Sequence, residues 1–368
     1  MAFTKTFGTT AGSYATATLW KPISVRTPAY RWVASGSGTS EYYLELAGGG
    51  NPGFVAAPSA VYANGSAVTS GTPGSLAAAR WGYGDNDTLG FSTIYIRLSD
   101  GADPDSKTLD WVTFYQIPQA GEDVRFDLDS ASITGGFDQS AVAIGAFVVE
   151  KGCSATFGSR SLGYLRINPT RFDFAGSGQA FIDLGSGSAI APQVRTTPGG
   201  SNGEYGLYLR TTRTSDVLNI MGGRVAVAGL PGDLSTIATV RLVGAGELLL
   251  GNGCTATTLD IYQGSAIARC SLTTINQYGQ GGKVFLEENA AVTTVNAKAS
   301  NGQFYWNSTG NITTYNWFGG LLDMRGNGAT RTLSTLARNA GTGVIHHVSA
   351  VTITTYTRSD PVSESISP

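Results

Sequence analysis

The side chains able to do chemistry in this chain are few, and their spacing works against most of the chemistry they could do. Asp85-Asn86-Asp87 and Asp100-Gly101-Ala102-Asp103-Pro104-Asp105 gather hard oxygen ligands of the kind Ca²⁺ takes. Neither fits an EF-hand loop or a Gly/Asp nonapeptide repeat, so ordinary turn chemistry is the preferred reading, with Ca²⁺ at Asp85 or Asp100 left open. His346-His347 is the single histidine pair. Adjacent residues of a strand face opposite ways and cannot chelate together. Glycan cleavage takes two carboxyls about 5–9.5 Å apart. Glu247, Asp260, Glu287, Glu288 and Asp323 fall at different phases or in non-neighbouring repeats, and Glu287 and Glu288 face apart if strand geometry continues through them. Nucleophile elbow, phosphate-binding Gly loop and Cys/His nucleophile signature are all missing. Cys153, Cys254 and Cys270 lack metal-type spacing and read as buried free thiols in preference to one disulfide. No catalytic, metal or cofactor residue is therefore assigned, and an enzyme is not expected.

What would position any site is a repeat. A β-Thr-Thr-β signature recurs as Leu272-Thr273-Thr274-Ile275, Val292-Thr293-Thr294-Val295, Ile312-Thr313-Thr314-Tyr315 and Ile353-Thr354-Thr355-Tyr356, with Leu333-Ser334-Thr335-Leu336 filling the gap. From Thr273 the steps are 20, 20, 21 and 20 residues. Weaker copies precede it at Thr257-Thr258-Leu259 and Leu234-Ser235-Thr236-Ile237. Between them lie turns at Gly222-Gly223, Ala245-Gly246, Gln263-Gly264, Gly281-Gly282, Asn301-Gly302 and Gly319-Gly320. After each turn the second and fourth residues are apolar: Val225/Val227, Leu248/Leu250, Ala266/Ala268, Val284/Leu286, Phe304/Trp306 and Leu322/Met324. Period-two alternation held at one phase over six copies predicts strands stacked coil on coil in a right-handed parallel β-helix of about 20 residues per coil.

Outward columns follow from the same phase. Asp260, Asn276, Asn296 and Asn316 recur once per coil and predict a side-chain ladder. The residue between the two inward ones reads Ala226, Leu249, Ile267, Phe285, Tyr305 and Asp323 down the stack. Four large apolar side chains in line exceed ordinary surface scatter, so Leu249, Ile267, Phe285 and Tyr305 are the candidate subunit interface; a covering loop is the alternative.

Composition agrees with an all-β protein. Glycine is 50 of 368 residues without a Gly-X-Y period, and no long 3.6-residue apolar stripe occurs. Segments such as Tyr42–Leu46, Thr93–Leu98 and Trp111–Tyr115, set between turns without the 20-residue register, predict a small antiparallel β-sandwich-like domain. The expected organisation is an N-terminal arm or cap at 1–26, that domain at 27–135, the β-helix at 136–357 and a polar tail at 358–368 that blunts the open edge. Net charge is −2, charged residues are 14%, and no basic cluster tracks a face, so no nucleic-acid partner is expected. No apolar run has membrane length and the opening Met1-Ala2-Phe3-Thr4-Lys5 lacks a signal core, which predicts assembly in a cytoplasm without membrane insertion.

Ile312-Thr313-Thr314-Tyr315-Asn316-Trp317-Phe318-Gly319-Gly320-Leu321-Leu322-Asp323 resembles coils of solenoid proteins in tailed-phage structural modules. Lys5-Thr6-Phe7-Gly8-Thr9 with Tyr14-Ala15-Thr16 is similar to the opening segment of many of them. Trp81-Gly82-Tyr83-Gly84-Asp85-Asn86-Asp87-Thr88-Leu89-Gly90 through Asp105 resembles a module of uncharacterised phage structural proteins. The resemblance implies a virion component, commonly a homotrimer, and transfers no catalytic or binding residue. A capsid decoration (cement) protein contacting the major capsid protein or another virion protein is expected first, favoured by short length, low charge and the missing carboxylate pair. A tail fibre or tailspike binding host glycan is second, and a bacterial adhesin third.

Overall fold

The computed structural model describes residues 4–21, 23–24, 29–54, 56–107, 112–196, 204–279, 282–339 and 341–359. Trp111, Gly281 and the tail from Asp360 onward lie outside them. Two elements dominate: a parallel β-solenoid, and an eight-stranded sheet with its own core.

The solenoid has two stacked faces. Face A runs Ala180–Asp183, Leu207–Arg210, Gly223–Val227, Gly246–Leu250, Ser265–Ala268, Lys283–Leu286, Gln303–Trp306, Gly320–Asp323 and Gly343–His346, each pairing in parallel with the next. Face B includes Val217–Ile220, Ser235–Leu242, Cys254–Ile261, Leu272–Gln277, Val292–Ala297, Ile312–Trp317, Arg331–Arg338 and Val351–Arg358, also parallel. The anticipated inward residues Val284, Leu286, Phe304 and Trp306 are wholly buried, whereas Lys283 is exposed. On face B the inward residues are Leu272 and Ile275, then Val292 and Val295, three apart instead of two. A straight strand cannot send both inward, so the chain bends at each Thr-Thr pair. The Thr-Thr signature marks a corner.

Glycine recurs for a second reason beyond the turns. A Cβ on Gly246 would lie 2.8 Å from the Gly223 carbonyl oxygen, one on Gly264 2.4 Å from that of Gly246, and one on Gly343 2.0 Å from that of Gly320. Successive coils approach backbone to backbone along this column, and Gly264 also has φ +81°.

Face B extends to the beginning of the chain. Thr4–Thr6 pairs in parallel with Asp123–Phe126, which pairs with Asp138–Val149 and so reaches Leu165–Phe174. Gly12–Ser13 pairs with Ile133–Gly135. Phe7, Tyr14 and Trp20 belong to the solenoid core, with Trp20 edge-on to both Phe7 and Tyr14. Within the segment expected as an arm or cap, Thr4–Trp20 thus forms the first coil and Ile23–Ser24 joins the inserted sheet, and residues 123–135, expected in the separate domain, lie in the second coil. Arg358, expected to open the tail, pairs with Arg338 in the last coil.

The eight-stranded sheet is inserted between these two coils. Its order is Ile23–Ser24, Val112–Tyr115, Ala60–Ala63, Ser66–Ser70, Arg80–Gly84, Thr93–Arg97, Tyr42–Leu46, Tyr30–Ala34. Trp32, Leu44, Phe54, Val61, Trp81, Ile94, Ile96, Leu98, Val112 and Phe114 fill its core. Where an antiparallel sandwich is expected, a curled sheet of mixed sense is found. Ser66–Ser70 and Arg80–Gly84 run parallel, because the connection 71–79 carries the chain back before it re-enters the sheet.

Insertion and solenoid meet at a buried ion pair. Lys5 Nζ donates to Gln116 Oε1 at 2.9 Å and lies 3.4 Å from Glu122 Oε1. Burial, countered in part by Glu122, pulls the Lys5 ammonium down to about 8, and burial raises the Glu122 carboxyl.

Two expectations follow. Gly264→Ala destabilises by about 2 kcal/mol or more, from left-handed strain and the carbonyl clash. Gly328→Ala, with nothing within 4 Å of its Cβ, stays within about 0.5 kcal/mol on denaturant unfolding. For Lys5 the folded pKa lies below the ordinary 10.5, so between about pH 8 and 10.5 the unfolded chain holds a proton that the folded chain has released. Relative to a Lys5→Met/Glu122→Leu variant, the parent gains stability as pH rises through that window. Urea midpoints measured across it check the sign.

Candidate interaction face

The outward column of face A runs in strict register from Phe181 through Tyr208, Ala226, Leu249, Ile267, Phe285 and Tyr305 to Asp323 and His346. Phe181 stacks on Tyr208 with centroids 4.5 Å apart, and Phe285 on Tyr305 at 4.7 Å. Leu249 does not belong to a free surface: it is 6% exposed in a small core with Phe181, Tyr208 and Ala226, flanked by Tyr164, Tyr205 and Leu230. Part of the anticipated stripe is thus covered by the chain's own loops. Those loops are pinned: Asp233 accepts from Tyr164 Oη at 2.5 Å and from the Leu230 amide at 3.0 Å. Ile267, Phe285 and Tyr305 remain half-buried.

The carboxylates arrange themselves differently from the sequence expectation. Glu287 and Glu288 do not face apart; their oxygens lie 3.1 and 3.4 Å from the same Nε of Arg269. The strand ends at Leu286, and Glu288 turns left-handed at φ 57°, so alternation stops before it reaches them. A second convergence had no sequence signal, because its members come from three successive coils outside the regular repeat: Asp183 and Asp233 both lie 3.8 Å from Arg210. Glu247 is paired with Arg224 at 2.5 Å, Asp260 with Arg241 at 3.4 Å, and Asp323 with Arg325 at 2.9 Å. The Arg325 guanidinium holds the Asp323 carboxyl below its usual range. Among the described residues, the carboxyls raised by burial are Glu122 and Asp216, both fully enclosed. A general acid needs a raised pKa and access to substrate, and these two enclosed carboxyls lack the access.

The Asp-rich turns are occupied by their own backbone. Asp85 accepts from the amides of Leu89 and Gly90, and Asp103 caps a short 3₁₀ turn through the Asp105 amide. Burial raises the Asp87 carboxyl, but hydrogen bonds from Ser35, Ser37 and Gly36 outweigh it and lower the pKa overall. Among the described residues no group of three or more His, Cys, Asp and Glu side chains is placed to hold a metal ion. His347 bonds the Val351 carbonyl at 2.8 Å. The three cysteines are buried and none forms a disulfide.

The amide ladder forms as expected. Asn316 donates to Asn296, Asn296 to Asn276 and Asn276 to the Asp260 carboxylate, each at 2.8 Å. Its polar groups satisfy one another along the stack.

A cavity of about 330 Å³ opens beside the column, lined by Leu230, Pro231, Leu249, Asn252, Arg269 and Glu288. Apolar Leu230, Pro231 and Leu249 share its lining with polar Asn252, Arg269 and Glu288.

Comparison with family models, with curated proteins and with solved structures found no match. The geometry is that of a β-solenoid scaffold many of whose surface charges are paired within the chain.

If Leu249 is interior, Leu249→Lys destabilises by about 3 kcal/mol or more, whereas Phe285→Lys loses mainly ring stacking, about 1 kcal/mol. Equal losses on chemical denaturation would contradict the covering by Tyr164, Tyr205 and Leu230.

Proposed function

We propose that this chain is a non-enzymatic structural protein of a tailed-phage virion, assembled in the host cytoplasm, and that it decorates and stabilises the capsid shell. The observation that carries the structural part is the use of surface carboxylates as in-chain salt bridges along an unbroken stack of coils. Such a surface offers stiffness and shape in place of reactive groups. The attribution to a virion rests on the sequence resemblance of residues 5–16, 81–105 and 312–323. The inserted sheet, tied at both ends to the first two coils, suits a docking module held at fixed orientation against a capsid protein. Three copies around an axis parallel to the solenoid would bury Ile267, Phe285 and Tyr305, with closed symmetry preventing propagation into fibres.

One feature favours a second reading, a tail protein that binds host glycan without cleaving it: the cavity bounded by Leu249, Asn252, Arg269 and Glu288. A virion reconstruction separates the two. Occurrence in many copies over the shell is expected for decoration, and a handful at one vertex places the chain in the tail. Purified protein is expected to leave host polysaccharide intact. Release of oligosaccharides, abolished by Glu287→Gln, would overturn the non-enzymatic reading.

A further inference from the structure

Two of the three cysteines stand one over the other in successive coils. Cys254 opens the strand Cys254–Ile261, and Cys270 lies just before Leu272–Gln277. These strands run parallel with Ala256 opposite Leu272, so each cysteine sits two residues before a matched position. The preceding matched pair is Leu250 with Ala268, which leaves 251–255 to turn the corner in one coil and 269–271 in the next. The shorter corner is what brings the two cysteines level. Both belong to the solenoid core, at 5% and 4% exposure. Parallel neighbours lie about 4.8 Å apart, inside the ~4.4–6.8 Å that a disulfide spans between α-carbons.

Their surroundings leave room for that bond. On one side Cys254 is matched with Ser235, and the register of Leu272 with Val292 puts Ala290 beyond Cys270. The column is one of small side chains. Ala290 fills the position one coil on, so packing alone does not call for sulfur there. A metal site is not offered either, since no group of three or more His, Cys, Asp and Glu side chains is placed to hold an ion among the described residues. The corner is open on its outer side. Gly251, Asn252 and Gly253, just before Cys254, and Arg269, just before Cys270, line the cavity described above.

We propose that Cys254 and Cys270 are a disulfide-forming pair that closes when the chain passes from reducing to oxidising surroundings and staples one coil to the next. The oxidant is a small-molecule disulfide such as oxidised glutathione. The Cys270 thiolate attacks one of its sulfurs and releases the first small thiol, leaving a mixed disulfide on Cys270. Cys254 then attacks the Cys270 sulfur and releases the second. Two protein thiols and one small disulfide become one protein disulfide and two small thiols, which carry off both protons. The order of attack follows from the pair itself. The Cys254 thiol donates toward the Cys270 sulfur, which lowers the Cys270 pKa and raises that of Cys254, so Cys270 ionises first. The inference is independent of the virion attribution, because it needs only a change of redox compartment.

The test uses the full folded chain, held with oxidised glutathione and then blocked with N-ethylmaleimide in denaturant. Mass spectrometry is expected to find one maleimide adduct in place of three, carried by Cys153, and one peptide pair joined through Cys254 and Cys270. The urea midpoint is expected to rise on the order of 0.5 M on oxidation and to return with dithiothreitol. Cys254→Ala should form no internal bond, and its midpoint should not respond to the oxidant. Three adducts after oxidation of the folded parent, a bond through Cys153, a dimer on non-reducing gels, or glutathione persisting on Cys270 would each overturn the pairing. An internal bond that leaves the midpoint unmoved would overturn the staple.

Discussion

Everything in this fold depends on parallel backbone pairing between one coil and the next, a ladder that sets the coil spacing and leaves each side chain stacked on its counterpart above and below. The glycine column shows how tight the constraint is. At Gly246, Gly264 and Gly343 the backbone of one coil occupies the place where the next coil's Cβ would stand. The same stacking turns isolated residues into columns: an apolar interior, an amide ladder that ends on the Asp260 carboxylate, and lines of like residues on each outer face.

Stacking also explains the distribution of charge. A parallel stack places like residues over like, and like charges at that spacing repel. The chain answers by offsetting its acids and bases by one coil. Arg224 meets Glu247, Arg241 meets Asp260, and Arg269 meets Glu287, each pair joining neighbouring coils. Many of the surface carboxylates are held in such in-chain pairs.

The first coil closes the stack. Phe7, Tyr14 and Trp20 cover the end of the core, and Lys5 is fastened to Gln116, just after the inserted sheet, and to Glu122. A buried ion pair is a costly way to hold two elements together, and replacing it with apolar groups is often neutral or better. Its presence at the one place where the chain leaves the solenoid and returns is consistent with fixing the register of that return.

The repeat, its inward phase, the Asn ladder and the all-β class were legible in the sequence, because period-two alternation and one-residue-per-coil columns are local patterns that a regular stack preserves. Val284, Leu286, Phe304 and Trp306 are buried where that alternation placed them. Tertiary structure decided the rest, for reasons of distance and of broken periodicity. That Thr4–Thr6 pairs with Asp123–Phe126 across the whole insertion leaves no trace in local spacing. The convergence of Glu287 and Glu288 on Arg269 depends on a left-handed residue just past a strand end, where alternation no longer applies. The covering of Leu249 depends on loops from other coils. Cys254 and Cys270 lie at a corner where coil lengths vary, and only the strand register puts the two in line.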